Sequence, residues 1–167
     1  MRIEWMEKYM ADAERLIYES KVDEGLVLLN SLLYDEPGYG SLHNHLGWAY
    51  MYYTADVARA EKHLQMAITF AADFAPPYLH LGTLYMRNAR YVEAVSTLEL
   101  GLTKPNANRV ALLESIAQVY ELKGEYRNAI RAYKEAAKSS VVSFEVNNLM
   151  EGVKRCRKKR LALLFTF

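Results

Sequence analysis

The residues that could carry chemistry in this chain are four histidines, His43, His45, His63 and His80. His43 and His45 stand two positions apart, so on a helix they would point to different sides. No His, Asp or Glu pair has the i, i+4 spacing of a zinc site with a third ligand nearby. We therefore predict no metal and no cofactor. One hypothesis stays open: if His45 and His80 face each other across adjacent helices, they could bind a metal as a pair.

The other polar patterns also argue against catalysis. No glycine-rich phosphate loop follows a strand pattern, and no nucleophile elbow occurs. The acidic pairs Asp23-Glu24 and Asp35-Glu36 fall in turns, where solvated helix caps account for them. We therefore predict that the protein is not an enzyme.

The densest charge cluster lies near the C-terminus and contains six cations and no acid: Lys154, Arg155, Arg157, Lys158, Lys159 and Arg160. Apolar residues follow, among them Leu163, Leu164, Phe165 and Phe167. Cys156 lies among the cations, which predicts a lowered pKa and a reactive thiol.

Three interpretations of this basic tail remain open. The first is a solvated helix end, because the helix dipole favours cations at its C-terminus. The second is contact with an anionic surface, either lipid headgroups or nucleic acid, with the apolar end inserted or buried. The third is a homo-oligomer in which the apolar end docks on another subunit.

Composition restricts the class of fold. Of 167 residues, 51% are apolar and 25% charged, so the chain can bury a core. Few Gly and Pro residues and no β-branched alternation favour helices. The single cysteine excludes an internal disulfide framework. The N-terminal residues do not form a signal peptide and no stretch is long enough for a membrane span, so we predict a cytoplasmic protein.

An internal repeat of about 35 residues organises the chain. Tyr50, Tyr85 and Tyr120 are each 35 positions apart. Small and large apolar residues recur in the same register, so each period contains two apolar stripes with helical spacing. A small residue on such a stripe lets a neighbouring helix approach closely. Each period therefore predicts a helical hairpin.

This pattern resembles the tetratricopeptide repeat (TPR) family, whose motif is W-x2-L-G-x2-Y, then A-x3-F, then P. The third repeat matches best, with Tyr78, Leu81, Gly82 and Tyr85, then Ala94 and Leu98. The second repeat has His43 in place of the first aromatic residue, and the first repeat is the most degenerate. Single-residue slips in spacing fall around residues 54–56 and 104–108.

The resemblance implies an all-α fold, a right-handed α-α superhelix (TPR solenoid) of four helical hairpins with a C-terminal capping helix. We predict a single domain, 1–167, with repeats at about 6–39, 40–74, 75–109 and 110–143 and the capping helix at about 143–164. The expected helices are about 3–19, 22–34, 40–53, 57–72, 75–88, 91–103, 109–123 and 126–138.

In this family the first helices of the repeats line a groove that holds a peptide or a helix of another protein. The positions facing that groove here are Asn44, Trp48, Met51, Tyr52, His80, Thr83, Arg87, Glu114, Gln118 and Glu121. Aromatic and Met side chains suit adaptable apolar recognition, and Arg87 could anchor a carboxylate. Alternatively, Trp48 and Tyr52 pack between repeats.

Some family members bind chaperone tails through a carboxylate clamp of Lys, Asn, Asn, Lys and Arg. The corresponding positions here lack the cations, so we predict no such clamp. The sequence therefore predicts a protein-binding scaffold of unidentified partner. The alternative is a self-assembling or surface-tethered structural protein that acts through the basic tail.

Overall fold

The computed structural model describes residues 2–164, which form nine α-helices and one short π-helical turn, with no strand among these residues. The fold is the predicted all-α superhelix of helical hairpins. Its helices are α1 Arg2–Tyr18, α2 Val22–Leu32, α3 Gly40–Ala49, α4 Val57–Phe70, α5 Pro76–Arg87, α6 Tyr91–Leu102, α7 Arg109–Leu122, α8 Tyr126–Ser139 and α9 Ser143–Leu164. The expected bounds agree with these to within a few residues.

Local sequence signals set several helix starts. The Asp56 carboxylate accepts a hydrogen bond from the backbone N–H of Arg59 at 2.9 Å and so caps α4. Asn108 caps α7 in the same way, with the N–H of Ala111 at 3.0 Å. Pro76 opens α5, where its missing N–H costs nothing because the first turn has no partner for it.

Consecutive helices pack as hairpins, and the hairpins stack in order. The first helices also contact one another in series, α1 with α3, α3 with α5 and α5 with α7. These four helices therefore form the inner side of the superhelix, and α2, α4, α6 and α8 form its outer side. Helix α9 packs on α8 and covers the C-terminal end of the stack.

Glycines at the repeated small position allow the two helices of a hairpin to touch. A Cβ atom added at Gly47 would lie 2.5 Å from Leu64 Cγ, and one at Gly82 would lie 2.5 Å from Leu98 Cγ. Both distances are well below van der Waals contact. The predicted role of the small residue in close helix packing is confirmed at these two positions.

The repeated tyrosines link neighbouring hairpins. Asn30 on α2 donates to the Tyr50 hydroxyl at 3.3 Å, and Gln65 on α4 donates to the Tyr85 hydroxyl at 3.2 Å. The Tyr50 and Tyr85 side chains are otherwise buried. Each ring thus fills the core of its own repeat and offers its polar end to the repeat before it.

A π-helical turn at Tyr50–Thr54 explains one of the two slips in the repeat spacing. Tyr50 and Ala60 are ten positions apart, whereas Tyr85 and Ala94 are nine apart. The extra residue is taken up by the wider turn, which ends at Ala55 in the left-handed region with φ of 55°. The Thr54 hydroxyl and the N–H of Asp56 both donate to the Tyr50 carbonyl, at 3.0 and 3.2 Å.

Candidate functional site

The candidate site lies on the inner side, at the C-terminal ends of α1, α3 and α5. Three aromatic rings meet there edge to face: Trp48 lies 5.6 Å from Tyr18 and 5.1 Å from Tyr53, and Tyr18 lies 6.3 Å from Tyr53 between ring centroids. Tyr18 is 64% exposed, while Trp48 is half-buried beneath it. Burial and a neighbouring Glu14 carboxylate raise the pKa of Tyr18.

A second set of contacts begins at the residue before Tyr53, Tyr52, and extends the site towards α5. The Tyr52 ring lies 6.3 Å from the His80 ring, and the Arg87 guanidinium lies over Tyr52 at 4.6 Å from the ring centroid. Arg87 forms no ion pair with the described residues. The π-helical turn therefore places Tyr53 against the preceding repeat and Tyr52 against the following one.

We call this set, Tyr18, Trp48, Tyr52, Tyr53 and Arg87, the aromatic row. Trp48, Tyr52 and Arg87 are among the predicted groove residues, whereas Tyr18 and Tyr53 are not. Tyr18 lies in the most degenerate repeat, and Tyr53 gains its position only from the extra residue in the π-helical turn. The alternative, that Trp48 and Tyr52 pack between repeats, also describes contacts they make: Trp48 contacts Tyr18 of the first repeat, and Tyr52 contacts His80 of the third.

Other predicted groove residues are less accessible. Thr83, Glu114 and Gln118 are partly buried, and the Gln118 amide donates to Glu114 at 3.4 Å. Met51 and Asn44 were expected to face the groove but are only 6% and 7% exposed. Met51 packs in the core cluster, because the close approach of adjacent first helices encloses it.

Glu121 is the clearest departure from the predicted groove. It is 9% exposed and accepts hydrogen bonds from Arg155 Nε at 2.7 Å, Lys159 Nζ at 2.8 Å and the Tyr133 hydroxyl at 3.0 Å. Its bonds to Arg155, Lys159 and Tyr133 together outweigh burial and lower the pKa of Glu121 to about 2. Glu121 therefore fastens α9 onto α7 and α8 and is not available to a ligand.

This network also shows that three of the six cations of the basic tail have carboxylate partners within the protein. Arg155 and Lys159 are bound to Glu121, and Lys154 pairs with Glu151 at 2.6 Å. Only Arg157, Lys158 and Arg160 have no ion pair with a described residue. Phe165 and Phe167 lie outside the residues that the structure describes.

Replacing Glu121 with Ala should destabilise the protein by about 2–3 kcal/mol, because two cations and a buried hydroxyl lose their shared partner. Urea unfolding followed by circular dichroism measures this change. Glu114→Ala is the matched control on the same helix, since Glu114 bonds only to Gln118 among the residues described here. Equal losses for the two variants would contradict the anchoring role of Glu121.

The prediction of a lowered pKa and a reactive thiol at Cys156 is wrong. Cys156 lies on the face of α9 that packs into the core and has no exposed surface. Burial raises the pKa of its thiol to about 11, and the nearby Glu121 carboxylate adds to this effect. Arg155 and Lys159 act in the opposite direction, but their effect is smaller than that of burial, so the thiol stays protonated.

His43 and His63 form a hydrogen-bonded pair. Nε2–H of His43 donates to the Pro37 carbonyl at 2.9 Å, so its Nδ1 accepts from Nδ1–H of His63 at 2.9 Å. His45 donates Nδ1–H to the Ser41 carbonyl at 2.8 Å. Burial, and to a lesser degree the proximity of His45, lowers the pKa of His80 to about 4. The paired-histidine metal site remains a prediction; within residues 2–164, no three metal-binding side chains cluster.

None of the helices in the described part of the chain is long and apolar enough to cross a membrane.

Comparison with known proteins agrees with the repeat pattern. A family model described as a tetratricopeptide repeat matches residues 112–141, which hold most of α7 and all of α8. No curated protein matches the sequence.

Solved structures resemble the whole fold. PilF of Pseudomonas aeruginosa is 15% identical, with a TM-score of 0.78 over 95% of this chain and 74% of PilF. A thermophilic TPR protein of Thermus thermophilus is 17% identical, with a TM-score of 0.71 over 92% of this chain and 80% of that one. Yeast Tom70 is 18% identical, with a TM-score of 0.79 over 91% of this chain but only 33% of Tom70. At these identities the likeness establishes the fold alone.

Proposed function

Because the chain is a tetratricopeptide repeat protein, we propose that it is a non-catalytic scaffold that binds a segment of a partner protein along its inner side. The aromatic row carries this proposal. Tyr18, Tyr52 and Tyr53 lie close together and remain 64%, 43% and 37% exposed. A contiguous exposed aromatic surface is typical of a protein-binding site.

The composition of the row suits a peptide or a helix. Tyr and Trp rings provide a large contact area and lose little side-chain entropy on binding. Arg87 lies over the Tyr52 ring and has no carboxylate partner among the described residues, so its N–H groups can donate to a backbone carbonyl or a carboxylate of the ligand. The row thus combines apolar contact with one directional polar anchor.

The test begins with peptides selected from a random display library on the immobilised protein. In a Trp5→Phe background, Trp48 is the remaining tryptophan, so its fluorescence reports binding at the row. We expect Tyr52→Ala with Arg87→Ala to weaken the selected peptides by at least about tenfold, because truncated aromatic and Arg residues at interface centres commonly cost this much.

A matched control uses Tyr34→Ala with Arg131→Ala. Tyr34 follows α2, Arg131 lies on α8, and both are exposed on parts of the surface that do not border the row. This variant should bind the peptides as the wild type does. Unchanged affinity in the Tyr52/Arg87 variant, or an equal loss in the control, would contradict the proposal.

A further inference from the structure

Charge is distributed unevenly between the last two helices and the rest of the chain. Residues 126–167 contain ten Lys and Arg and three Asp and Glu, a net charge of +7. Residues 1–125 contain eleven basic and seventeen acidic residues, a net charge of −6. The overall value of +1 therefore conceals a strongly cationic C-terminal end.

Helix α8 carries a stripe of four cations that the basic tail does not include. Arg127, Arg131, Lys134 and Lys138 are separated by four, three and four positions, which places them on one helix face. All four side chains are exposed. The stripe runs about 16 Å along α8, given a rise of ~1.5 Å per residue. Only Lys138 forms an ion pair with a described residue, Glu135.

Helix α9 continues this cationic surface. A short connection at residues 140–142 turns the chain back, so α9 runs antiparallel to α8. Arg127 at the start of α8 and Arg160 near the end of α9 line one open cavity, together with Tyr126 and Leu163. Arg160 thus adds its charge beside the stripe, and Arg157 and Lys158 are further exposed cations on the same helix.

Exposed apolar side chains border the cations at both ends. Next to Lys138, Val141 is 99% exposed and Phe144 is 73% exposed. Next to Arg127 and Arg160, Leu161 and Leu163 are 56% and 52% exposed. Transfer of these aliphatic and aromatic groups out of water is favourable, and the cations beside them would be attracted to an anionic surface.

We propose that this α8–α9 surface docks the protein on an anionic lipid membrane, with the cations on the headgroups and the flanking apolar side chains in the interfacial layer. This proposal goes beyond the scaffold function and does not depend on the aromatic row. The membrane is favoured over nucleic acid because the bordering groups are mainly aliphatic, whereas nucleic-acid surfaces use aromatic stacking and polar contacts between their cations.

A second copy of the chain fits the surface less well. Although its first hairpin is acidic, several of these acids already have partners: Asp12 pairs with Arg15, Glu19 pairs with Lys21, and Glu7 accepts from the Tyr39 hydroxyl.

The experiment is co-sedimentation of the full chain with phosphatidylcholine vesicles that contain no phosphatidylserine or about 30% of it, in low salt. We expect binding only to the anionic vesicles. Arg131→Glu with Lys134→Glu should weaken it by at least about thirtyfold, because each cation near the surface contributes about fivefold and the new carboxylates are repelled by the anionic headgroups. The matched control is Lys8→Glu with Lys62→Glu, which changes the net charge by the same amount at exposed lysines elsewhere. It should bind the anionic vesicles at least several-fold more tightly than the α8 variant.

Phe144→Ser separates the apolar contribution from the electrostatic one. This variant should bind in low salt but dissociate at a lower salt concentration than the wild type. Circular dichroism melting verifies that each variant is folded. The proposal is overturned if the wild type does not bind anionic vesicles or if both charge-reversal variants bind them equally. It is also overturned if duplex DNA or RNA binds more tightly than the vesicles, or if the protein sediments without vesicles.

Discussion

Acidification from pH 7 to pH 4 is expected to lower the free energy of unfolding by about 3 kcal/mol through His80 and by about 1–2 kcal/mol through the less buried His63. Burial is the main cause that lowers the pKa of both to about 4, and nearby His43 and His45 add to it for His63 and His80, respectively. In the unfolded chain these histidines bind a proton near pH 6.5, whereas in the folded protein they stay neutral until about pH 4. The unfolded state therefore binds more protons in this window, and stability falls as the pH falls.

Urea unfolding at pH 7, 6, 5 and 4 measures this effect. The interval above pH 5 isolates the histidines, because carboxylates with lowered pKa values, such as Glu121, lose their contribution only at lower pH. His80→Gln should remove more than half of the pH dependence in that interval. A free energy of unfolding that stays constant between pH 7 and 5 would show that the two imidazoles are not held neutral.

Replacing Gly82 with Leu is the substitution that we expect to be most damaging, with a loss of about 3 kcal/mol. The first added atom would already lie 2.5 Å from Leu98 Cγ and 2.6 Å from Leu98 Cδ2. Because α5 and α6 are both held by neighbouring hairpins, they cannot separate without opening further contacts. Thermal and urea unfolding measure the loss.

A double-mutant cycle identifies the cause of that loss. Leu98→Ala creates space at the contact, so Gly82→Leu should cost less in the Leu98→Ala background than alone. Gly38→Leu serves as a control for adding a large side chain, since a Cβ atom there would lie 3.7 Å from the Phe70 ring, an ordinary contact distance. Additive effects of Gly82→Leu and Leu98→Ala would contradict a steric origin.

The fold could be predicted from the sequence because the same small and large apolar residues recur at the same positions in each repeat. Gly47 and Gly82 mark where helices touch, and Tyr50 and Tyr85 mark where hairpins join. Any single copy would be ambiguous, but the constant spacing ties the copies together. Helix starts at Asp56, Pro76 and Asn108 follow from local chemistry.

The candidate site could be predicted only in part, because its residues depend on contacts between distant segments. Exposed Tyr52 and Arg87 follow from their repeat positions. Met51 and Asn44 were placed by the same reasoning, yet the close packing of the inner helices buries them. Glu121 resembles any solvent-facing acid in sequence, and only the path of α9, 34 positions further on, shows that Arg155 neutralises it.

The π-helical turn at Tyr50–Thr54 affects how an extended ligand would align along the repeats. A superhelix of equivalent repeats offers an extended ligand several equivalent alignments, each displaced by one repeat. The extra residue makes the second hairpin unlike the others, since it alone among the described hairpins carries such a turn and directs adjacent tyrosines to both neighbours. A ligand that contacts both tyrosines can bind in only one alignment. One irregular turn therefore fixes the register of a ligand on an otherwise repetitive surface.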